Sequence, residues 1–174
     1  LNILVETNNV KILWINYPHM PTGTPARLSV FEALVNFAKE KNILLVHDNP
    51  YNLTLTEKPL SIFNVEGAEE VAIELNSLSK SHNMAGWRVG MIVGRKDYVD
   101  TVMKVKTNFD SGMFKGIQKG AVAALESSAF WHQLQNALYE RRREIVYGML
   151  DVLKCTYRKN TAGMFVWAKI PDTF

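Results

Sequence analysis

Short apolar runs rich in β-branched residues alternate along this chain with stretches of helical period, and that alternation limits the possible folds more than any other feature. Val10 to Ile15, Ile43 to Val46 and Val71 to Leu75 read as buried strands, and the glycine-bounded run Val89 to Gly94 reads as a fourth. Between the first two, Phe31, Leu34, Val35 and Ala38 recur at helical spacing to about Lys41. Thr24 is the expected N-cap of that helix, with Pro25 in its first turn. Tyr98, Val99, Val102 and Val105 mark another helix, Gly116 to Leu125 a short alanine-rich one, and Trp131, Leu134, Leu138, Ile145, Met149 and Val152 a long one. Met164 to Ile170 is expected as a last strand. Strands alternating with helices predict an α/β chain, a three-layer α/β/α arrangement around a mostly parallel sheet. Ligands of such sheets bind beyond the carboxyl ends of the strands.

Three of the strands end in polar clusters. The first runs into Asn16-Tyr17-Pro18-His19-Met20-Pro21-Thr22-Gly23, the second into Asp48-Asn49-Pro50-Tyr51, and the third into Asn76-Ser77-Leu78-Ser79-Lys80. Gly86-Trp87-Arg88-Val89-Gly90 follows shortly after. Together these clusters supply what pyridoxal phosphate needs from a protein. A lysine meets its aldehyde, and a carboxylate keeps its ring nitrogen protonated so that the ring acts as an electron sink. A hydroxyl donor meets its phenolic oxygen, and positive charge with hydrogen-bond donors meets its phosphate.

On these residues the chain resembles the fold-type-I, class I/II aminotransferases. The Asn16–Gly23 loop is similar to their Asn-Tyr-Pro-x-Asn-Pro-Thr-Gly, Asp48-Asn49-Pro50-Tyr51 to their Asp-x-x-Tyr, and Ser77-Leu78-Ser79-Lys80 with Gly86-Trp87-Arg88-Val89-Gly90 to their cofactor-lysine signature. The stretch Asp110-Ser111-Gly112-Met113-Phe114 resembles the branch around aspartate and LL-diaminopimelate aminotransferases. The resemblance implies that Lys80 forms an aldimine with the cofactor and, once freed, serves as base and acid. It implies that Asp48 pairs with the pyridinium nitrogen and Tyr51 donates to the phenolic oxygen. Ser77, Ser79 and Arg88 would hold the phosphate, since a guanidinium can grip two oxygens at once. The implied reaction moves an amino group from an amino acid to a 2-oxo acid. The implied assembly is a cytoplasmic homodimer, with Asn108 to Phe114 near the partner's cofactor. Residues 1–127 would belong to the cofactor-binding large domain, and 128–174 would form a linking helix and the start of a smaller α/β domain.

Two departures from the family pattern stand out. Met20 occupies the position where the family carries an asparagine that donates to the phenolic oxygen, and a thioether has no proton to donate. The family's glycine/serine phosphate loop, ring-stacking aromatic and substrate-carboxylate arginine have no place in 174 residues, so the chain reads as the central piece of a longer protein. Arg158 lies too early to be that arginine.

The same motifs fit a pyridoxal-phosphate β-lyase on this scaffold. They also fit the cofactor-sensing domain of a transcription regulator, which would carry a winged helix upstream. The net charge of +3 is scattered rather than gathered into a basic face, which argues against nucleic acid as a partner. No run approaches the length of a membrane span, and residues 1–6 lack a signal-peptide pattern. The lone Cys155 reads as a small buried apolar residue and fits a reducing compartment. Met84 and Trp87 read as packing residues, His82 and His132 as surface or packing residues, the run Arg141 to Arg143 reads as a solvated helix face, and no residues have metal-ligand spacing.

Overall fold

The computed structural model describes residues 9–172. The reading of residues 1–6 lies outside them. Ile12–Asn16 (β1), Leu44–Asp48 (β2), Ala72–Ser77 (β3) and Gly90–Gly94 (β4) form one sheet in the order β1-β2-β3-β4. The first three strands are parallel, in a register that sets Asn16 beside Asp48 and Asp48 beside Leu75. β4 is antiparallel to β3, so the sheet is mixed and mostly parallel. The reason lies in the connection. Residues 78–89 hold only a one-turn helix, Leu78–Ser81 (α2), and a 3-10 turn, Ala85–Trp87. That is too little to carry the chain back across the sheet for a parallel return. Instead Leu78 N–H donates to the Val89 carbonyl at 3.1 Å, and the chain doubles back at once.

The helix Leu28–Lys41 (α1) covers one face of the sheet. Its Phe31, Leu34, Val35 and Ala38 form a core with Leu45, Ile62, Val65, Ala68 and Ala72. Full burial of side chains such as Phe31 and Val35 is worth about 1.5–3 kcal/mol each. A smaller cluster of Leu78, Met84, Val89 and Ala121 ties α2 to the helix Lys115–Leu125 (α4). Between them lies the helix Lys96–Phe109 (α3), and after them the long helix Ala129–Val152 (α5). Thr156–Tyr157 (β5) and Ala168–Lys169 (β6) form a separate antiparallel pair.

Two elements differ from the sequence reading. α1 begins at Leu28, with Arg27 at its N-cap, rather than after Thr24. The loop before it consumes the groups that a cap would use. His19 N–H donates to the Thr24 carbonyl at 2.9 Å, and the Thr24 hydroxyl pairs with that of Thr22 at 2.9 Å. The strand expected over Met164 to Ile170 shrinks to the two residues of β6. The chain just before it is bonded elsewhere, Ala162 N–H to the Gly23 carbonyl and Gly163 N–H to the Thr54 carbonyl, both at 2.8 Å. Gly23 has φ +67, and a Cβ there would lie 2.6 Å from Thr161 Cβ. The close approach of these two loops therefore requires glycine.

Candidate cofactor site

The topology brings four polar clusters to one edge of the sheet. β1, β2 and β3 run parallel and end there, delivering Asn16, Asp48 and Ser77. β4 is antiparallel and starts there, with Gly90 paired to Ser77 and Arg88 just ahead of it. Lys80 follows in α2, half-buried. The residues singled out in sequence, Asp48, Tyr51, Ser77, Ser79, Lys80 and Arg88, thus all lie at this edge.

Local bonding fixes most of them. Asn16 Nδ2 donates to the Asp48 carbonyl at 2.9 Å, and its Oδ1 accepts from Met20 N–H at 2.7 Å, so one side chain ties the first loop to the second strand. Asp48 is half-buried, and that burial raises its carboxyl above the ordinary range, against the opposing charge of His47. Tyr51 is buried with its ring edge on Phe165, at a centroid distance of 5.6 Å. Burial, and then the charge of Asp48, push its phenol upward. Its hydroxyl donates to Met20 Sδ at 3.2 Å. Met20 therefore acts as an acceptor for the very tyrosine it was expected merely to leave unaided.

Ser77 Oγ accepts from Ser79 N–H at 3.1 Å and caps α2. Arg88 Nη1 donates to the Ala85 carbonyl at 2.9 Å and reaches Ser79 Oγ at 3.4 Å. Its backbone is left-handed, with φ +54, a conformation that a non-glycine L-residue holds at a cost of about 1–2 kcal/mol.

The donor set fits pyridoxal phosphate. A carboxylate, a phenol, an amine, and a guanidinium beside a hydroxyl meet at one sheet edge. The Tyr51 hydroxyl spends its proton on a thioether, a weak acceptor that an oxygen anion would displace at little cost. A cavity of about 560 Å³ lies among Leu55, Glu57, Glu140, Arg143, Lys159 and Thr161, and none of the six candidate residues lines it.

The family description "Aminotransferase class I and II" matches residues 2–173. This chain belongs to the class I and II aminotransferases. An LL-diaminopimelate aminotransferase of Gloeobacter violaceus is 44% identical over 166 residues, covering 94% of this chain and 42% of that protein. The apo structure of BacF from Bacillus subtilis superposes with a TM-score of 0.89 at 34% identity, over 95% of this chain and 42% of that one. An aminotransferase structure from Staphylococcus aureus follows with a TM-score of 0.85 at 32% identity, over 94% of this chain and 44% of that one. The chain thus spans less than half the length of the relatives it matches. Pyridoxal phosphate is the cofactor of this aminotransferase family.

Several buried polar residues escaped the sequence reading. His47 and Glu74 are buried side by side on β2 and β3, and Asn49 joins them. The signal was present: Glu74 interrupts an apolar strand, and His47 is the one basic residue inside another. Arg143 is no solvated charge either. Only 14% of its side chain is exposed, held by Glu140 at 2.7 Å and the Thr161 carbonyl at 2.9 Å. Met84 is packed as expected, whereas Trp87 is half-exposed and lies against Gly120. His82 is buried, stacked on Trp131, while Cys155 is only partly covered.

Proposed function

We propose that the full-length protein carrying this chain transfers the amino group of an amino acid to a 2-oxo acid, with pyridoxal phosphate held on Lys80. The observation that supports this most is the meeting of Asp48, Tyr51, Lys80 and Arg88 at one sheet edge, delivered by three parallel strands and one antiparallel strand. The bound cofactor supplies an electron sink for charge developing at the substrate Cα. Lys80 Nζ provides the covalent attachment and, once released, carries the proton to and from that carbon. The Asp48 carboxylate would pair with the ring nitrogen and keep its proton. Tyr51 Oη, which donates to Met20 Sδ here, would serve the phenolic oxygen. Arg88, with Ser77 and Ser79, would hold the phosphate.

In this reading, residues 1–127 belong to the cofactor-binding domain and 128–174 lead into a smaller one. The enzyme is a homodimer working in the cytoplasm. Among the described residues no helix is long and apolar enough to cross a membrane. LL-diaminopimelate, named by the relatives, is the first amino donor to assay. The test is to incubate the full-length protein with that donor and a 2-oxo acid. The expected result is a new amino acid formed only when pyridoxal phosphate is present. Turnover of a cystathionine-like thioether, without amino transfer, would contradict the proposal.

A further inference from the structure

His47 is fully buried on β2, and an acceptor faces each of its ring nitrogens. Nε2 lies 2.9 Å from the Tyr17 carbonyl, which only accepts, so Nε2 carries a proton. Nδ1 lies 3.0 Å from Glu74 Oε2. The Glu74 carboxylate is surrounded by donors. Oε2 accepts from Ser61 Oγ at 2.6 Å and Ile62 N–H at 2.9 Å, and Oε1 accepts from Asn49 Nδ2 at 3.1 Å and Asn76 Nδ2 at 2.9 Å. Four donors other than His47 thus hold the anion. Burial alone would raise this carboxyl, but the hydrogen bonds from His47, Ser61 and Asn76 outweigh it and lower the value to about 2. Nδ1 therefore faces a carboxylate that four other donors hold in place.

Three elements face the ring. Glu74 faces it from β3, and α1 presents the apolar ring of Phe31 at a centroid distance of 4.9 Å. The loop after β1 presents the Tyr17 carbonyl, whose ring turns its edge to Phe31. On its own strand the next residue is Asp48.

We propose that His47, held between Glu74 and the Tyr17 carbonyl, is the positioning residue for the cofactor-pairing carboxylate Asp48 and for the loop that carries Met20. The inference rests on the cofactor reading above. It assigns two effects to one side chain. The bond from Nε2–H to Tyr17 pins the Asn16–Gly23 loop to β2, and with it Met20, the acceptor of Tyr51. Next to Asp48 on the strand, His47 also opposes the burial that raises that carboxyl. Neighbouring strand residues point to opposite faces, so His47 works from the core side while Asp48 serves the other.

The test uses the full-length protein. Nitrogen-15 NMR of labelled histidine, with His47→Gln or His47→Asn to assign the signal, is expected to show a proton on His47 Nε2 held in a hydrogen bond. A bare Nε2 overturns the proposal, and either folded variant suffices for the assignment. Equilibrium dialysis of apo protein against pyridoxal phosphate is the second readout. His47→Gln is expected to bind about tenfold more weakly, the scale of one lost hydrogen bond to a charged group. Binding should also fail at a higher pH on acidification, because Asp48 without His47 beside it takes up a proton sooner. Equal affinity and an equal acid limb in the two proteins overturn the proposal, even where His47→Gln melts earlier. If the wild-type protein itself does not bind the cofactor through Lys80, the function reading falls instead, and the two failures are told apart.

Discussion

α1 and α3 have the same length, 14 residues each, and both were legible from their apolar spacing, yet they end in opposite circumstances. α1 buries Phe31, Leu34, Val35, Phe37 and Ala38, whereas α3 buries none of its residues. α5 resembles α3: along 24 residues only Tyr147 is buried. Periodicity fixes which side of a helix is apolar, but burial needs a partner surface, and of these three helices α1 is the one whose apolar face enters the core against the sheet. The site sits on the well-packed side of this divide. Its strand ends are clamped by the α1 core, by the His47–Glu74 pair and by the return of residues 162–163.

The largest effect should come from breaking the packed side. Phe31→Ala is expected to cost about 3–5 kcal/mol in urea unfolding of the full-length protein. A loss under 1 kcal/mol would show that α1 does not anchor the sheet. Acid should act next, through Glu74. Its folded value of about 2 lies below the ordinary 4.5, so its stabilisation is fully present above about pH 4.5 and is lost as pH falls toward 2. The expected loss is on the order of a few kcal/mol. Glu74→Gln should flatten that acid limb in a stability–pH profile, and an unchanged limb would remove Glu74 as its source.

A smaller effect is expected at Met20. Met20→Asn should restore a second donor near Tyr51 Oη. The pH midpoint of the bound cofactor's visible absorbance should then fall by about one unit or less, since donors favour the protonation state they bond. A rise would show that Met20 serves Tyr51 in some other way. The smallest effect belongs to the loosely packed side. Val152 is 82% exposed, so Val152→Ala should change stability by about 0.5 kcal/mol or less. A loss near that of Phe31→Ala would show that further chain, or a second copy, covers α5.

The strands, their order along the chain and the polar clusters at their ends were legible because apolar runs and turn residues are local signals. The six candidate cofactor residues were picked in this way, and they lie at one edge of the sheet. The antiparallel turn of β4 was not legible, since Val89 to Gly94 reads the same in either direction. The late start of α1 was hidden because Thr24 looks like a cap until the bonds inside its loop are known. The pairing of His47 with Glu74 depends on register between strands 27 positions apart, which no local pattern carries. For the same reason Tyr51's bond to Met20 turned an expected vacancy of donors into a contact.

The central claim is that Lys80 carries the cofactor, and covalent trapping tests it most directly. The full-length protein is loaded with pyridoxal phosphate, reduced with borohydride and digested, and the labelled peptide is sequenced. The account predicts the label on Lys80, within Ser77-Leu78-Ser79-Lys80. A label on Lys104, Lys106 or any other lysine, with Lys80 unmodified, would contradict it.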